Sequence, residues 1–117
     1  MPDSQKDLHK KLLGKKGEAL AAKYLKKLGY KLLAKNYRTP FGEADLIFSY
    51  GEQTVFVEVK TRTNTAFGEA KEAVDKFKQA RYRKIALYFG KGAEPNARFD
   101  VIEVWADGKV EHIPNAF

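Results

Sequence analysis

Three residues near the middle of the chain have side chains and a spacing that could support phosphate chemistry. Asp45 lies in one run of alternating apolar and polar residues, and Glu58 and Lys60 lie in the next run. The sequence Tyr-Gly-Glu-Gln at positions 50–53 separates the two runs and indicates a tight hairpin turn. If the two central residues of that turn form the loop, Asp45 lies directly opposite Glu58, with Cβ atoms about 4.5–5.5 Å apart.

Two opposed carboxylates repel each other unless a cation neutralises them. Mg²⁺ takes hard oxygen ligands, typically one or two carboxylates together with water and substrate phosphate, and Mn²⁺ suits similar oxygen donors. Such an ion lowers the pKa of a bound water, and Lys60 on the same face could orient that water or contact the phosphate. The pattern thus suggests Asp45, Glu58 and Lys60 as a catalytic set. On spacing alone, however, Glu-x-Lys on a strand is more often an exposed ion pair.

Three further residues each have two interpretations. Glu18 shares a helical stripe with apolar residues, so it either adds an oxygen near the metal or is an ordinary acid in a first helical turn. Glu43 falls opposite Lys60 in the same hairpin register, and we favour a role as its ion partner beside the metal over a role as metal ligand. Arg62 could clamp a phosphate with two hydrogen bonds, although an exposed arginine at a strand end is the commoner case.

A basic segment follows the second strand of the hairpin and predicts a surface that binds nucleic acid. As single residues, its members are better interpreted as an ordinary solvated helix face. The segment includes Lys76, Lys78, Gln79, Arg81, Tyr82, Arg83 and Lys84.

The elements that must position these residues are readable from periodicity and turn signals. Apolar residues at helical spacing predict a helix over 18–28, closed by Gly29, and Asp75 is a plausible N-cap for a second helix that ends near Phe89, before Gly90. Strands are predicted over 30–37, on both sides of the hairpin turn, over 99–105 and over 110–113. This order predicts one α/β domain over 1–117, a mixed sheet flanked by helices, with residues 1–13 as either a short helix or a flexible basic arm.

Composition limits the function classes. A formal net charge of +7 favours a polyanionic partner, with nucleic acid ahead of an anionic membrane surface. The chain has no cysteine, which excludes disulfide scaffolds, thiolate zinc sites and cysteine nucleophiles. Without a long apolar run or a signal-peptide pattern, we expect a cytoplasmic protein that does not insert into membranes.

Several short motifs together resemble the YraN-like family of small bacterial proteins, which is similar to archaeal Holliday-junction resolvases of the PD-(D/E)XK nuclease superfamily. The resemblance covers nearly the whole chain from Gly14 onward. It rests on Gly17-Glu18, FGEADLI at 41–47, FVEVKTR at 56–62, RFDV at 98–101 and NAF at 115–117. One departure is Ala44, which stands where the superfamily's name has proline.

The resemblance implies a restriction-endonuclease-like fold, a homodimer and Mg²⁺- or Mn²⁺-dependent hydrolysis of DNA, including branched or junction DNA. It matches Asp45 to the metal-binding aspartate, Glu58 and Lys60 to the (D/E)XK pair, and Glu18 to the glutamate of the first helix. Gln79 and Arg81 match polar helix positions of related nucleases, and Lys84 joins them as a nucleic-acid contact. The alternatives are a non-catalytic nucleic-acid-binding module on a nuclease scaffold and an interaction protein with an acidic partner.

Overall fold

The order of elements is helix, three strands, helix, two strands, as predicted. The computed structural model describes residues 2–62, 76–90 and 96–117, with side chains from Leu13 onward. The elements are α1 (Pro2–Lys27), β1 (Lys31–Thr39), β2 (Gly42–Tyr50), β3 (Gln53–Arg62), α2 (Lys76–Phe89), β4 (Ala97–Trp105) and β5 (Val110–Ile113).

The strands form one mixed sheet in the order β1-β2-β3-β4-β5, so the predicted α/β fold is confirmed. Among the described strands, β3 and β4 pair in parallel and the other neighbours are antiparallel. A parallel pair needs a crossover connection, and α2 lies within the connection between these two strands. The fold is consistent with a restriction-endonuclease-like domain.

The two helices cover opposite faces of the sheet, because successive residues of a strand point to opposite sides. Val55 and Val57 of β3 pack in the core under α1, whereas Phe56 between them packs in the core under α2. The α1 side contributes Ala21, Ala22 and Leu25, and the α2 side contributes Tyr82, Ile85 and Ala86.

Helix α1 is longer than the sequence pattern predicts, because it begins at Pro2 and therefore includes most of residues 1–13. Whether those residues are a mobile arm stays a prediction. The helix ends as expected: Gly29 follows it with a φ of 95°, the left-handed conformation that glycine adopts at little cost. None of the helices in the described ranges is long and apolar enough to cross a membrane.

The local turn predictions are also confirmed where the structure describes them. Tyr50 pairs with Gln53 across the hairpin, and Gly51 has a φ of 60°, which a two-residue turn of this kind requires. Helix α2 ends at Phe89, before Gly90, whereas the proposed N-cap Asp75 lies outside the described residues.

A buried carboxylate at the start of β4 fixes the C-terminal segment. Asp100 is fully buried and accepts two hydrogen bonds from Arg98, at 2.9 and 2.7 Å, and one from the backbone amide of Asn115 at 2.9 Å. The His112 ring nitrogen lies 2.7 Å from the same carboxylate. Burial alone would raise the pKa of Asp100, but the hydrogen bonds from His112 and Arg98 hold it below its ordinary value. The RFDV motif and the C-terminal residues are thereby joined in one polar network.

We predict that Asp100→Ala lowers the free energy of unfolding by about 3–5 kcal/mol, because it leaves a partly buried arginine without its charge partner. Urea unfolding at neutral pH measures the change. Glu111→Ala, which removes an exposed acid from β5, is the control and should be nearly neutral. Equal effects of the two substitutions would show that the Asp100 network does not stabilise the fold.

Candidate active site

The sheet opens between its second and third strands. The β2–β3 ladder runs from Tyr50 and Gln53 to Leu46 and Val57 and stops there, although both strands continue. Beyond that point β2 pairs only with β1, down to Gly42, and β3 pairs only with β4, up to Arg62. We call this opening the fork. One arm of the fork is β2, which carries Asp45, and the other is β3, which carries Glu58.

Asp45 lies at the vertex of the fork. Its Oδ2 accepts a hydrogen bond of 2.8 Å from the backbone amide of Val59, so a side chain replaces the strand carbonyl that a continued ladder would supply. The alternation predicted for β2 is wrong at this point, since Ala44 packs with the α2-side core while Leu46 packs with the α1-side core. The irregularity turns the Asp45 carboxylate into the opening between the strands.

The Asp45 carboxyl is costly to ionise. Burial and the nearby charge of Glu58 raise its pKa from an ordinary 3.8 to about 7, and the charges of Glu18 and Glu43 add to the effect. The amide of Val59 opposes the shift without cancelling it. An acid in such surroundings is stabilised by a proton or by a cation.

Glu58, on the β3 arm, is buried, and two side chains of α2 bind its carboxylate. Tyr82 donates its hydroxyl to Glu58 Oε2, and Lys78 forms an ion pair with Oε1. The Tyr82 ring is fixed in turn by Phe99 and by Phe117, whose centroids lie 6.4 and 5.7 Å away. The C-terminal residue therefore helps to aim the hydroxyl that orients Glu58. The pKa of Tyr82 is raised by burial and by Glu58, so its hydroxyl keeps its proton.

Lys60 lies on the same arm and the same side of the sheet. Its Nζ is 3.7 Å from Glu58 Oε1. Burial and the neighbouring Lys78 lower the pKa of Lys60, whereas for Lys78 the hydrogen bond and charge of Glu58 outweigh burial and raise the pKa. Two lysines thus pair with the Glu58 carboxylate, and Lys78 makes the closer ion pair.

Glu43, on the β2 arm, is joined to Glu18 of α1 by an asparagine. With its amide nitrogen turned toward the acids, Asn36 donates to Glu43 Oε1 at 3.1 Å and to Glu18 Oε1 at 3.2 Å. Asn36 has a φ of 49°, a left-handed conformation that asparagine tolerates better than most residues. Burial and the charge of Glu43 raise the pKa of Glu18. A groove of about 380 Å³ opens beside this pair and is also lined by Arg38.

The close approach of α1 to β3 brings Glu18 to the fork. Gly17 is buried, and a Cβ at this position would collide with the hydroxyl of Thr61. Only a residue without a side chain lets the helix lie this near the strand.

The structure thus brings Asp45, Glu58, Lys60, Glu18 and Glu43 to one end of the sheet, with three differences from expectation. Asp45 and Glu58 are not a directly opposed strand pair, because the ladder ends at Leu46 and Val57. The ion partner of Glu43 is Arg38, at 3.8 Å, rather than Lys60, because the β2–β3 ladder ends before their predicted pairing. Arg62 forms an ion pair of 2.7 Å with buried Glu103.

Three of the four predicted nucleic-acid contacts lie on α2, and the fourth, Arg62, ends β3. Arg81 and Lys84 are exposed on its outer surface, and Gln79 is half-buried. Tyr82, which the sequence grouped with this surface, is instead buried.

The donor chemistry of the fork fits a small divalent cation. Its acidic side chains offer only oxygen atoms as donors, and Asp45 and Glu58 lie on the two sides of one opening. Among the described residues no group of three or more histidine, cysteine, aspartate or glutamate side chains could hold a metal ion. An ion here would therefore rely on Asp45 and Glu58, a number of carboxylates that Mg²⁺ commonly uses. The structure does not add Glu18 to a three-ligand group.

Sequence analysis missed four side-chain contacts to the site acids, and one of them is the ion pair of Arg38 with Glu43. Lys78 and Tyr82 bind Glu58 across the α2–β3 interface, and Asn36 joins Glu18 to Glu43 across the β1–β2 turn. The one usable signal was the helical spacing of Lys78 and Tyr82, four residues apart on one side of α2.

Comparison with known proteins agrees with the motif resemblance. The sequence model of the Uncharacterised protein family UPF0102, which is the YraN family, matches residues 17–104. The chain belongs to this family. A UPF0102 protein of Caldanaerobacter subterraneus subsp. tengcongensis is 47% identical, with 96% of this chain and 99% of the relative covered. UPF0102 proteins of Thermodesulfovibrio yellowstonii (49% identical, 90% and 95% covered) and Geobacter metallireducens (46%, 94% and 95%) are similar over comparable lengths. Of the motifs on which the resemblance rests, all but Asn115-Ala116-Phe117 fall inside the matched family region.

We predict that Asp45→Asn stabilises the metal-free UPF0102 protein at about pH 8 by at least about 1 kcal/mol, because ionising Asp45 opposes folding there. The raised pKa means that the folded state takes up a proton more readily, so this cost grows as pH rises from 3.8 to about 7. The gain should therefore vanish near pH 4, where the carboxyl is largely neutral in both states.

Urea unfolding at both pH values measures the difference. Asp107→Asn, an equivalent change in the exposed β4–β5 turn, should show no such pH dependence. If Asp45→Asn destabilises the protein at about pH 8, the Asp45 carboxylate is structural.

Proposed function

We propose that this protein is a metal-dependent endonuclease that hydrolyses phosphodiester bonds in DNA, with Asp45, Glu58 and Lys60 as catalytic residues. The observation that carries the proposal is the fork, where an acid from β2 and an acid and a lysine from β3 lie at an opening in the sheet. A structural ion pair would not need a second buried acid beside it, since like charges at close range oppose folding.

The residues divide the work as follows. Asp45 and Glu58 would hold Mg²⁺ or Mn²⁺, and a bound ion supplies charge stabilisation at the phosphate and a water of lowered pKa. Tyr82 fixes the orientation of Glu58 through Oε2, which leaves Oε1 directed at the lysines. Lys60, 3.7 Å from that oxygen, would orient the attacking water or contact the scissile phosphate.

Lys78 has a separate role in this proposal. Its ammonium neutralises Glu58 in the metal-free protein. If Glu58 held a cation instead, the Lys78 ammonium would be able to contact a phosphate oxygen, since a lysine side chain is long and flexible. The negative charge of Glu58 would then be neutralised both in the metal-free protein, by Lys78, and in the metal-bound protein, by the ion.

A second function is favoured by one observation. Lys78 and Tyr82 together occupy the Glu58 carboxylate, and the described residues contain no three-ligand metal cluster. A non-catalytic nucleic-acid-binding module on a nuclease scaffold would have this arrangement, with the acids neutralised from within the protein.

We predict that purified protein cleaves DNA in the presence of Mg²⁺ or Mn²⁺, and that Asp45→Asn and Lys60→Ala each reduce the rate at least about 100-fold. The measurement is a cleavage panel over single-stranded, duplex and branched DNA, with and without chelator. Lys31→Ala is a matched control, because Lys31 is an exposed strand lysine at the other end of β1. Unchanged cleavage by Asp45→Asn would contradict the assignment, and no cleavage by the folded wild type would favour the binding module.

Binding to DNA should weaken log-linearly with salt, because lysine and arginine contacts release counterions from the phosphates. Arg81→Ala should lower the slope by about one unit and weaken binding across sequences. Fluorescence anisotropy over a salt series in chelator measures both effects. Lys31→Ala is again the control, and an equal change in both variants, or no salt dependence, would argue against a phosphate-binding surface on α2.

A further inference from the structure

The outer surface of α2 carries a continuous exposed stripe. Phe77, Arg81, Lys84 and Tyr88 recur at helical spacing, so they lie along one side of the helix, and all are exposed. Phe77 is 88% exposed and Tyr88 is 47% exposed. The buried side of the helix, which holds Tyr82 and packs on the sheet, lies next to this stripe. An exposed stripe with an aromatic at each end is unusual for a surface that faces only water.

The β1–β2 turn extends the stripe with a third aromatic ring. Phe41 is 45% exposed, and its ring lies 6.4 Å from that of Tyr88 in an edge-to-face arrangement. Thr39 fixes the turn, since its hydroxyl accepts from the amide of Phe41 at 3.0 Å and donates to the carbonyl of Gly42 at 2.8 Å. Phe41 is therefore presented by a hydrogen-bonded turn and not by a loose loop.

Two basic side chains, those of Lys84 and Arg81, lie beside these rings. Lys84 Nζ is 5.7 Å from the centroid of the Phe41 ring. The Arg81 side chain packs across Gly42, where an added Cβ would lie only 2.7 Å from Arg81 Cδ. As a whole α2 has basic residues at five positions and no acidic residue. The surface therefore combines flat apolar faces with positive charge, the combination that binds single-stranded nucleic acid.

The stripe is continuous with the fork. Gly42, which Arg81 covers, begins β2 and lies three residues before Asp45 in the sequence. On α2 itself, Tyr82 follows Arg81 and donates to Glu58. A nucleic-acid strand with its backbone at the fork could thus continue along α2, where Phe77 and Tyr88 are separated by about 16 Å of helix.

We propose that Phe41 and Tyr88, with Arg81 and Lys84, form a platform on which unpaired bases next to the scissile phosphate stack. This inference rests on the proposed function, because it names the substrate class of the same site: DNA with a single-stranded segment. Bases in an intact duplex are already stacked on one another and offer no free face to these rings. The phosphate charges of either form of DNA meet Arg81 and Lys84, so the rings, and not the cations, provide the selectivity.

The test is binding of a fluorescein-labelled oligothymidylate and of a blunt duplex of equal length, measured by anisotropy in chelator. The double variant Phe41→Ala/Tyr88→Ala should bind the oligothymidylate about 5- to 150-fold more weakly for each stacked base lost, and the duplex as wild type does. Phe41→Trp should retain single-strand affinity, because it keeps a stacking face. Leu28→Ala, an exposed apolar residue after α1, is the control, and thermal melts report whether each variant folds.

Three outcomes would overturn the platform. The double variant could bind oligothymidylate as wild type does, or it could lose duplex and single-strand affinity equally. It could also lose self-association in sedimentation while oligothymidylate binding stays unchanged, which would mean that a second copy of the chain covers the rings. Because chelator is present throughout, these results do not depend on cleavage. Loss of single-strand affinity in a protein that never cleaves DNA would support the platform and refute the proposed nuclease.

Discussion

The hydrogen bond from the Val59 amide to the Asp45 carboxylate is the interaction on which the site depends. At the point where β2 leaves β3, the partly buried amide of Val59 loses the carbonyl that a regular ladder would provide, and leaving such an amide unpaired would be costly. The aspartate satisfies the amide with one of its two carboxylate oxygens. The separation of the strands and the position of the acid are therefore one structural event. Ala44 changes to the α2 side of the sheet at the same place.

The charges at the fork are balanced in two different ways. Glu58 receives cations and a hydroxyl from its own strand and from α2, whereas Asp45 receives one backbone amide and the repulsion of its acidic neighbours. Asp45 is therefore the residue with most to gain from a bound cation. The aromatic packing of Phe99 and Phe117 around Tyr82 links this balance to the C-terminal residues, which the Asp100 network fixes from the other side of the sheet. Sequence motifs far apart in the chain thus support one carboxylate.

Much of this architecture could be predicted from local sequence signals. The hairpin turn, the glycine after α1 and the alternation in β3 each depend on neighbouring residues, and each was predicted correctly. The end of the β2–β3 ladder before Asp45 could not be predicted, because there a side chain from β2 takes the place of a backbone carbonyl as the acceptor for the Val59 amide. Lys78, Tyr82 and Asn36 were missed for a related reason: their partners come from other elements, and no periodicity records such contacts. The early start of α1 was missed because its first turns have few apolar residues.

The central claim is that the fork binds a divalent cation between Asp45 and Glu58. Anomalous diffraction from crystals soaked in Mn²⁺ tests it most directly, because the ion's position is observed without reference to activity. The account predicts one peak in the opening, within bonding distance of both carboxylates, with the Lys78 ammonium moved away from Glu58. No peak at the fork under saturating Mn²⁺, with the Lys78–Glu58 ion pair intact, would contradict it.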